Sequence, residues 1–146
     1  MDSTERKDLS KAEWKVMKIL WELQKAMARE VYTIAGEQHS WAPATVKTIL
    51  KRLTDKGYVS ATRVGNGFVY RPILSAASTL QSAADTLLTL AIEGTTGPLL
   101  VHMVEQTTLS ESDLDSLQKM IASKKQSLQQ RGNKQTSKGS QGRAKR

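Results

Sequence analysis

The hydrophobic period of the chain changes at Gly57. In residues 46–53, VKTILKRL, aliphatic side chains occur at i, i+3, i+4 and i+7, which is the core face of a helix. After Gly57, β-branched and aromatic residues alternate with other residues on both sides of a Gly-Asn-Gly turn at 65–67, and Pro72 ends the run. This pattern is typical of a β-hairpin. A helix that leads directly into a hairpin restricts the fold to a few small architectures.

Two more helical patterns come before this helix. Ser10 and Glu13 have the spacing of a capping box and predict a helix from there to about Leu23. A shorter pattern over residues 28–36 ends at Gly36, a residue that often terminates helices. Pro43 suits the first turn of the third helix. Three helices followed by a hairpin predict a mainly α fold with a small β-hairpin, a winged helix-turn-helix domain over residues 1–75.

Residues 76–122 have a leucine-rich helical pattern and form the second predicted domain. A segment this short rarely holds a core of its own. It can either pack on the winged helix or pair with a second copy, and its surplus of apolar residues favours a homodimer. The residues expected at the dimer contact are Leu87, Leu88, Leu99, Leu100, Met103, Leu114, Leu117 and Ile121.

The charge is unevenly distributed along the chain. The net charge is +8, and residues 41–75 have six basic residues against Asp55. Residues 76–122 have one basic residue and six acidic ones, whereas the tail, residues 123–146, has eight basic residues and no acidic one. We expect the tail to contain the end of the last helix and to be disordered after about Gln130. The tail is either a solubilising end or an accessory DNA-binding segment, and its charge favours DNA.

The basic face of the third helix has two interpretations. It could be solvated like many charged helix faces, but its position before a wing and inside a basic zone favours recognition of double-stranded DNA. Thr45, Lys47 and Thr48 lie in the first turns and offer hydroxyls, methyls and an ammonium to base edges. Lys51 and Arg52 lie further along and are expected to bind phosphates.

Other DNA contacts are weaker expectations. Arg63 and Asn66 of the hairpin either contact the DNA backbone or minor groove or belong to an ordinary turn. Trp41, just before the third helix, packs either in the protein or near a phosphate. Trp14 and Trp21 are expected in the core. The two histidines, His39 and His102, have no partner motif, and we expect neither a metal site nor a cofactor.

Several functional classes are disfavoured by composition. The chain has no cysteine, which excludes disulfides and thiolate chemistry. No set of residues pairs a nucleophile with a base, so we do not expect an enzyme. No apolar run is long enough to span a membrane, and the N-terminus lacks the apolar core of a signal peptide. We therefore expect a cytoplasmic protein without membrane insertion.

The segments LSKAEWKVMKILW, APATVKTILKRLTDKGYV and GNGFVYRPIL together resemble the penicillinase-repressor family of bacterial winged-helix proteins (BlaI and MecI type). The resemblance is specific over residues 9–75 and looser over residues 76–122. It implies a homodimeric repressor that binds an inverted-repeat operator built on TACA and TGTA and dimerises through C-terminal helices. It also places Thr45, Lys47, Thr48 and Arg52 at the family's recognition positions, whereas Ala44 replaces a basic residue.

The same resemblance implies relief of repression by proteolysis, through a membrane metalloprotease that senses cell-wall stress. The family's Asn-Phe cleavage bond is matched here by His102-Met103, a departure that leaves the cleavage position open. The absence of cysteine excludes the copper-sensing route of related repressors. The alternative to DNA binding is a winged-helix interaction module that docks on an acidic protein partner.

Overall fold

The computed structural model describes residues 7–143 of the chain and the side chains of residues 7–134. These residues form a mainly helical structure with one small antiparallel sheet, as predicted. Its elements are α1 (Lys11–Leu23), β1 (Ala26–Met27), α2 (Ala28–His39), α3 (Pro43–Asp55), β2 (Val59–Val64), β3 (Gly67–Pro72), α4 (Ala76–Leu90), α5 (Thr96–Gln106) and α6 (Glu111–Arg143).

The first helix begins where the sequence predicted, but Glu13 has a different role. The Ser10 hydroxyl accepts a hydrogen bond from the backbone N–H of Glu13 at 3.2 Å, which caps α1. The carboxylate of Glu13 accepts hydrogen bonds from Lys56 Nζ at 2.7 and 2.9 Å. Glu13 is only 2% exposed. The residue predicted to complete a capping box therefore forms a buried ion pair that joins α1 to the end of α3.

The second helix is longer than the sequence predicted. Met27 has no side-chain oxygen for capping, and its backbone N–H donates to the Glu30 carboxylate at 2.9 Å instead. The helix continues past Gly36 to His39, and Ser40 terminates it with a left-handed φ of 57°. Gly36 is thus an interior residue of α2, and the prediction that it ends the helix was wrong. Glycine lowers helix stability without preventing a helix that is held by packing.

The third helix has the predicted start and core face. Pro43 lies in its first turn, and Gly57 follows its end with a φ of 83°, a conformation that glycine adopts without strain. The helix packs its apolar face against α1, α2 and β2. The buried apolar residues of this common core are Val16, Met17, Ile19, Leu20, Ala26, Val31, Ala35, Val46, Ile49, Leu50, Leu53, Tyr58 and Val59.

The hairpin is part of a three-stranded sheet with the order β1-β3-β2. Val64 pairs with Gly67 across the turn, and Gly65 in the turn has a φ of 61°. The short strand β1 pairs Ala26 with Tyr70 and Met27 with Val69. The sequence predicted the hairpin but not β1, because two residues are too few to produce an alternating pattern. This extra strand attaches the hairpin to the chain that enters α2.

The chain divides into two units between Ala91 and Ile92, later than the predicted boundary after residue 75. Helix α4 therefore belongs to the winged-helix unit. The Trp21 indole N–H donates to the carbonyl of Leu74 at 3.0 Å, which fixes the chain just before α4, and Thr79 is buried. A long-range hydrogen bond of this kind cannot be read from local sequence pattern.

The second unit contains α5 and α6. Ser110 and Asp113 exchange hydrogen bonds between side chain and backbone, so α6 begins with a reciprocal cap. The sequence predicted disorder after about Gln130, and the structure instead continues α6 to Arg143. This segment has no proline, and its glutamines, lysines and arginines favour helix, whereas Gly132, Gly139 and Gly142 lower the stability of the helix. None of residues 92–134 is buried.

Candidate nucleic-acid interface

The outward face of α3 contains all five residues that the sequence proposed there for DNA contact. The apolar face of the helix is fixed against the core, so the remaining positions point to solvent. The exposed residues are Thr45, Lys47, Thr48, Lys51 and Arg52, and Ala44 is exposed beside them. The first turn of α3 has no acidic residue. This face therefore combines cations and short polar groups on one rigid element.

The hydroxyl of Thr48 is committed to the helix. It donates to the carbonyl oxygen of Ala44 at 3.0 Å. The outward-facing groups of Thr48 are therefore a hydrogen-bond acceptor and a methyl group. The two groups match a base amino group and a thymine methyl, respectively.

A cleft of about 510 Å³ lies between α3 and the hairpin. Lys47, Thr48 and Lys51 line it from α3, and Phe68 and Tyr70 line it from β3. The two aromatic rings are 6.5 Å apart, and Phe68 is 45% exposed. Asp55 also lines the α3 side, so the cleft has two lysines and one carboxylate on that side and an aromatic wall of Phe68 and Tyr70 on the other.

The aromatic wall is a part of the site that the sequence analysis missed. Phe68 and Tyr70 are two residues apart on β3 and so share one face of the hairpin. Burial raises the pKa of the Tyr70 phenol, and the nearby Tyr32 adds to this effect. Tyr70 is therefore neutral at physiological pH. The alternation of residues 67–72 was a signal in the sequence that places Phe68 and Tyr70 on one face, but it does not show that this face lies beside α3.

The two wing residues lie at the outer end of the hairpin. Arg63 pairs in register with Phe68, and Asn66 lies in the two-residue turn between the strands. Both are exposed. Neither residue lines the cleft. Both lie on the same hairpin as Phe68 and Tyr70, away from the polar face of α3.

Trp41 is half-buried beside the start of α3. Its ring lies 4.8 Å from the ring of His39, and Lys15 Nζ lies 5.7 Å from its centroid. Trp41 also packs against the core. The indole also contacts a lysine from α1. A contact of Trp41 with a phosphate stays a prediction. Lys15 was missed because residues 1–40 are neutral as a whole.

The residues proposed for dimerisation are distributed over both units. Leu87 and Leu88 belong to α4, whereas the other six belong to α5 and α6. Leu99 is partly buried, and the other seven are between 37% and 54% exposed. His102 and Met103, the candidate cleavage pair, are exposed in the middle of α5.

Among the residues that the structure describes, no group of three or more histidine and acidic side chains could hold a metal ion. In the same part of the chain, no helix combines the length and the apolar character that crossing a membrane requires.

Sequence comparison decides the family. A sequence model described as "Penicillinase repressor" matches residues 9–123, which include the winged helix, α4, α5 and the beginning of α6. The chain belongs to the penicillinase repressor family. The match confirms the family that the sequence motifs indicated, and it ends before most of the basic tail.

Individual relatives of the family are moderately similar. The methicillin resistance regulatory protein MecI of Staphylococcus aureus (strain N315) is 25% identical over 117 residues, which cover 80% of this chain and 95% of MecI. The penicillinase repressor of Bacillus licheniformis is 26% identical over 113 residues, 77% of this chain and 88% of that protein. The solution structure of the DNA-binding domain of the repressor BlaI is 32% identical, covers 50% of this chain and 89% of that domain, and has a TM-score of 0.47.

Proposed function

We propose that this member of the penicillinase repressor family is a homodimeric transcriptional repressor that binds a specific inverted-repeat operator. The single observation that carries the proposal is the outward face of α3, where Thr45, Lys47 and Thr48 are exposed on a helix whose opposite face is fixed in the core. A helix held in this way can enter the major groove as a rigid body.

The proposed roles follow from position and chemistry. Lys47 donates to guanine O6 and N7, or to a phosphate, and Thr48 accepts from a base amino group, because its hydroxyl proton is bonded to Ala44. Lys51 and Arg52 lie further along the helix and bind phosphates. Arg63 and Asn66 extend the contact at the wing, and Lys15 presents its ammonium beside Trp41.

The homodimer is supported by the exposed apolar surface of the second unit. Residues 92–134 contain no buried side chain, although α5 and α6 are rich in leucine, valine and methionine. A helical unit without a core of its own is stabilised when its apolar face is covered. A second copy of the chain would cover this face and would also supply a second α3. Two copies related by a twofold axis match an inverted repeat whose half-sites are about 10 bp apart.

Relief of repression by proteolysis is the regulatory part of the proposal. The His102-Met103 bond is exposed on α5, but it lies within a helix, so a protease requires local unfolding of α5 before cleavage. The proposed protease is a membrane metalloprotease that senses cell-wall stress. Incubation with such a protease and mass measurement of the fragments tests this step, and an uncleaved second unit contradicts it.

The DNA-binding part is tested by titrating the protein into a duplex that contains a TACA/TGTA inverted repeat and into a scrambled duplex of equal length. We expect binding to the repeat to be at least about a thousandfold tighter at moderate salt. Equal affinity for both duplexes would reject the proposal. Indifference to DNA together with capture of an acidic protein would favour the interaction module instead.

A further inference from the structure

The basic extension of α6, residues 124–143, lies beyond the family match that ends at residue 123. It has six lysines and arginines and no acidic residue. The structure continues α6 through this segment to Arg143, and Lys124, Lys125, Arg131 and Lys134 have exposed side chains. A helix of about 1.5 Å rise per residue spans about 28 Å from residue 124 to residue 143.

The apolar stripe of α6 becomes cationic where the extension begins. Leu114, Leu117 and Ile121 are spaced at three and four residues, and the next positions of the same stripe are Lys124, Leu128 and Arg131. Two of these three positions hold basic residues. Like charges that face each other across a twofold axis repel, so the extension is poorly suited to continue an apolar dimer contact.

We propose that the basic extension of α6 is a second DNA-contact surface, which binds backbone phosphates of the duplex next to the operator without reading base sequence. This inference rests on the proposed function. Lysine and arginine side chains on a helix neutralise phosphates and release counterions, which strengthens binding in a salt-dependent manner. The extension thereby adds affinity for flanking DNA, whereas α3 determines which base sequence is bound.

Composition favours DNA over an anionic membrane surface. Helices that bind membrane surfaces need an apolar face with aromatic or aliphatic residues that enter the lipid boundary. Residues 123–146 have no aromatic residue, and Leu128 is their only large aliphatic one. The segment therefore offers charge with almost no apolar surface, and charge alone is sufficient for phosphate contacts along a duplex.

The test uses the full-length chain with Lys124, Lys125, Arg131 and Lys134 all replaced by glutamine, which preserves helix propensity. Binding is measured as a function of salt on a short operator duplex and on one extended by about 20 bp on each side. The wild-type protein is expected to gain affinity on the longer duplex. The variant is expected to lose that gain, and its salt slope on the longer duplex is expected to fall by about 0.9 for each lost phosphate contact.

A matched control removes four charges from the first unit, with Lys7, Lys11, Lys18 and Lys25 replaced by glutamine. All four are exposed. We expect this control to keep most of the gain on the longer duplex. An equal loss in both variants would show an effect of net charge and overturn the proposal, as would an unchanged slope in the α6 variant. Binding of wild-type protein to phosphatidylserine vesicles, lost in the variant while DNA binding is unchanged, would overturn it in favour of a membrane surface.

The outcomes also separate this inference from the proposed function. If the wild-type protein prefers the operator over scrambled DNA but the α6 variant behaves like wild type, only the role of the extension is rejected. If the wild-type protein has no such preference, the proposed repressor function is rejected first. In the expected case, the α6 variant retains the wild-type preference for operator over scrambled DNA of equal length.

Discussion

At the scale of single residues, Lys47 and Lys51 of α3 differ in what we expect them to contact. Both are exposed and both line the cleft beside the hairpin. Lys47 is one turn nearer the start of the helix, where recognition helices contact base edges. Lys51 is one turn further along, where we expect a phosphate contact. Two lysines with equal charge on the same helix therefore offer a direct comparison between base contact and backbone contact.

We predict that Lys47→Ala lowers operator affinity by about 1–3 kcal/mol and reduces the preference over scrambled DNA. Lys51→Ala should weaken binding to both duplexes about equally and lower the salt slope by about one unit per protomer. Titrations of both variants on operator and scrambled duplexes at several salt concentrations measure these effects. If Lys47→Ala instead weakened both duplexes equally and Lys51→Ala reduced the preference for the operator, the roles of the two lysines would be exchanged.

The sequence identified these residues because exposure on α3 follows from one regular pattern. Four aliphatics fix one face in the core, and every other position of the helix is then determined by geometry. Phe68 and Lys15 were not identified. Phe68 lines the cleft because the hairpin packs beside α3. Lys15 lies near the start of α3 because its ammonium contacts the ring of Trp41. Both depend on contacts between residues that are distant in sequence.

At the scale of elements, the ion pair between Glu13 and Lys56 connects α1 to the end of α3. Lys56 Nζ also donates to the carbonyl of Asp8 at 3.0 Å, and its side chain is 21% exposed. Glu13 is buried, so loss of its cation leaves a carboxylate without compensation. This ion pair therefore contributes to the orientation of α3 relative to the helix that it packs on.

We predict that Lys56→Met lowers the free energy of unfolding by about 3–5 kcal/mol, because it leaves Glu13 charged and unpaired. The double variant Glu13→Gln with Lys56→Met should recover part of this loss, since no buried charge remains. Lys51→Met, at an exposed position of the same helix, serves as the control and should change stability by less than about 0.5 kcal/mol. Urea unfolding measures all three, and a Lys56→Met variant as stable as the control would contradict the prediction.

The boundaries of the elements show where sequence patterns are insufficient. The starts of α1 and α3 were predicted because Ser10 and Pro43 act locally. The end of α2 was not, because packing extends the helix past Gly36. Strand β1 consists of two residues, and it exists through its pairing with β3. Local signals therefore predicted the elements that have local causes, and missed those that depend on tertiary contacts.

At the scale of the whole molecule, the second unit differs from the winged helix in how its apolar residues are used. In the winged helix, apolar residues form a buried core, whereas in residues 92–134 the apolar side chains are exposed to at least an intermediate degree. The sequence indicated this difference through the leucine-rich pattern of a segment too short to fold alone. The division after Ala91 was not indicated, because the helical pattern of α4 resembles that of α5 and α6.

The proposed homodimer gives a prediction that tests this surface directly. Leu117 lies on the apolar stripe of α6 and is 37% exposed, and Ser116 lies on another face of the same helix. Leu117→Glu places a charge in the proposed contact, so we expect a monomer by analytical ultracentrifugation at concentrations where the wild-type protein has twice the mass of one chain. Ser116→Glu adds the same charge outside the stripe and should remain dimeric.

The same two variants connect dimerisation to DNA binding. Without the dimer, the two copies of α3 no longer bind as one unit, and the advantage of effective concentration for the second half-site is lost. Leu117→Glu should therefore bind a complete operator about as weakly as a half-operator, whereas Ser116→Glu should keep the wild-type difference between them. A dimeric Leu117→Glu variant would mean that α6 does not form the contact, and α4 with Leu87 and Leu88 would then be the surface to substitute.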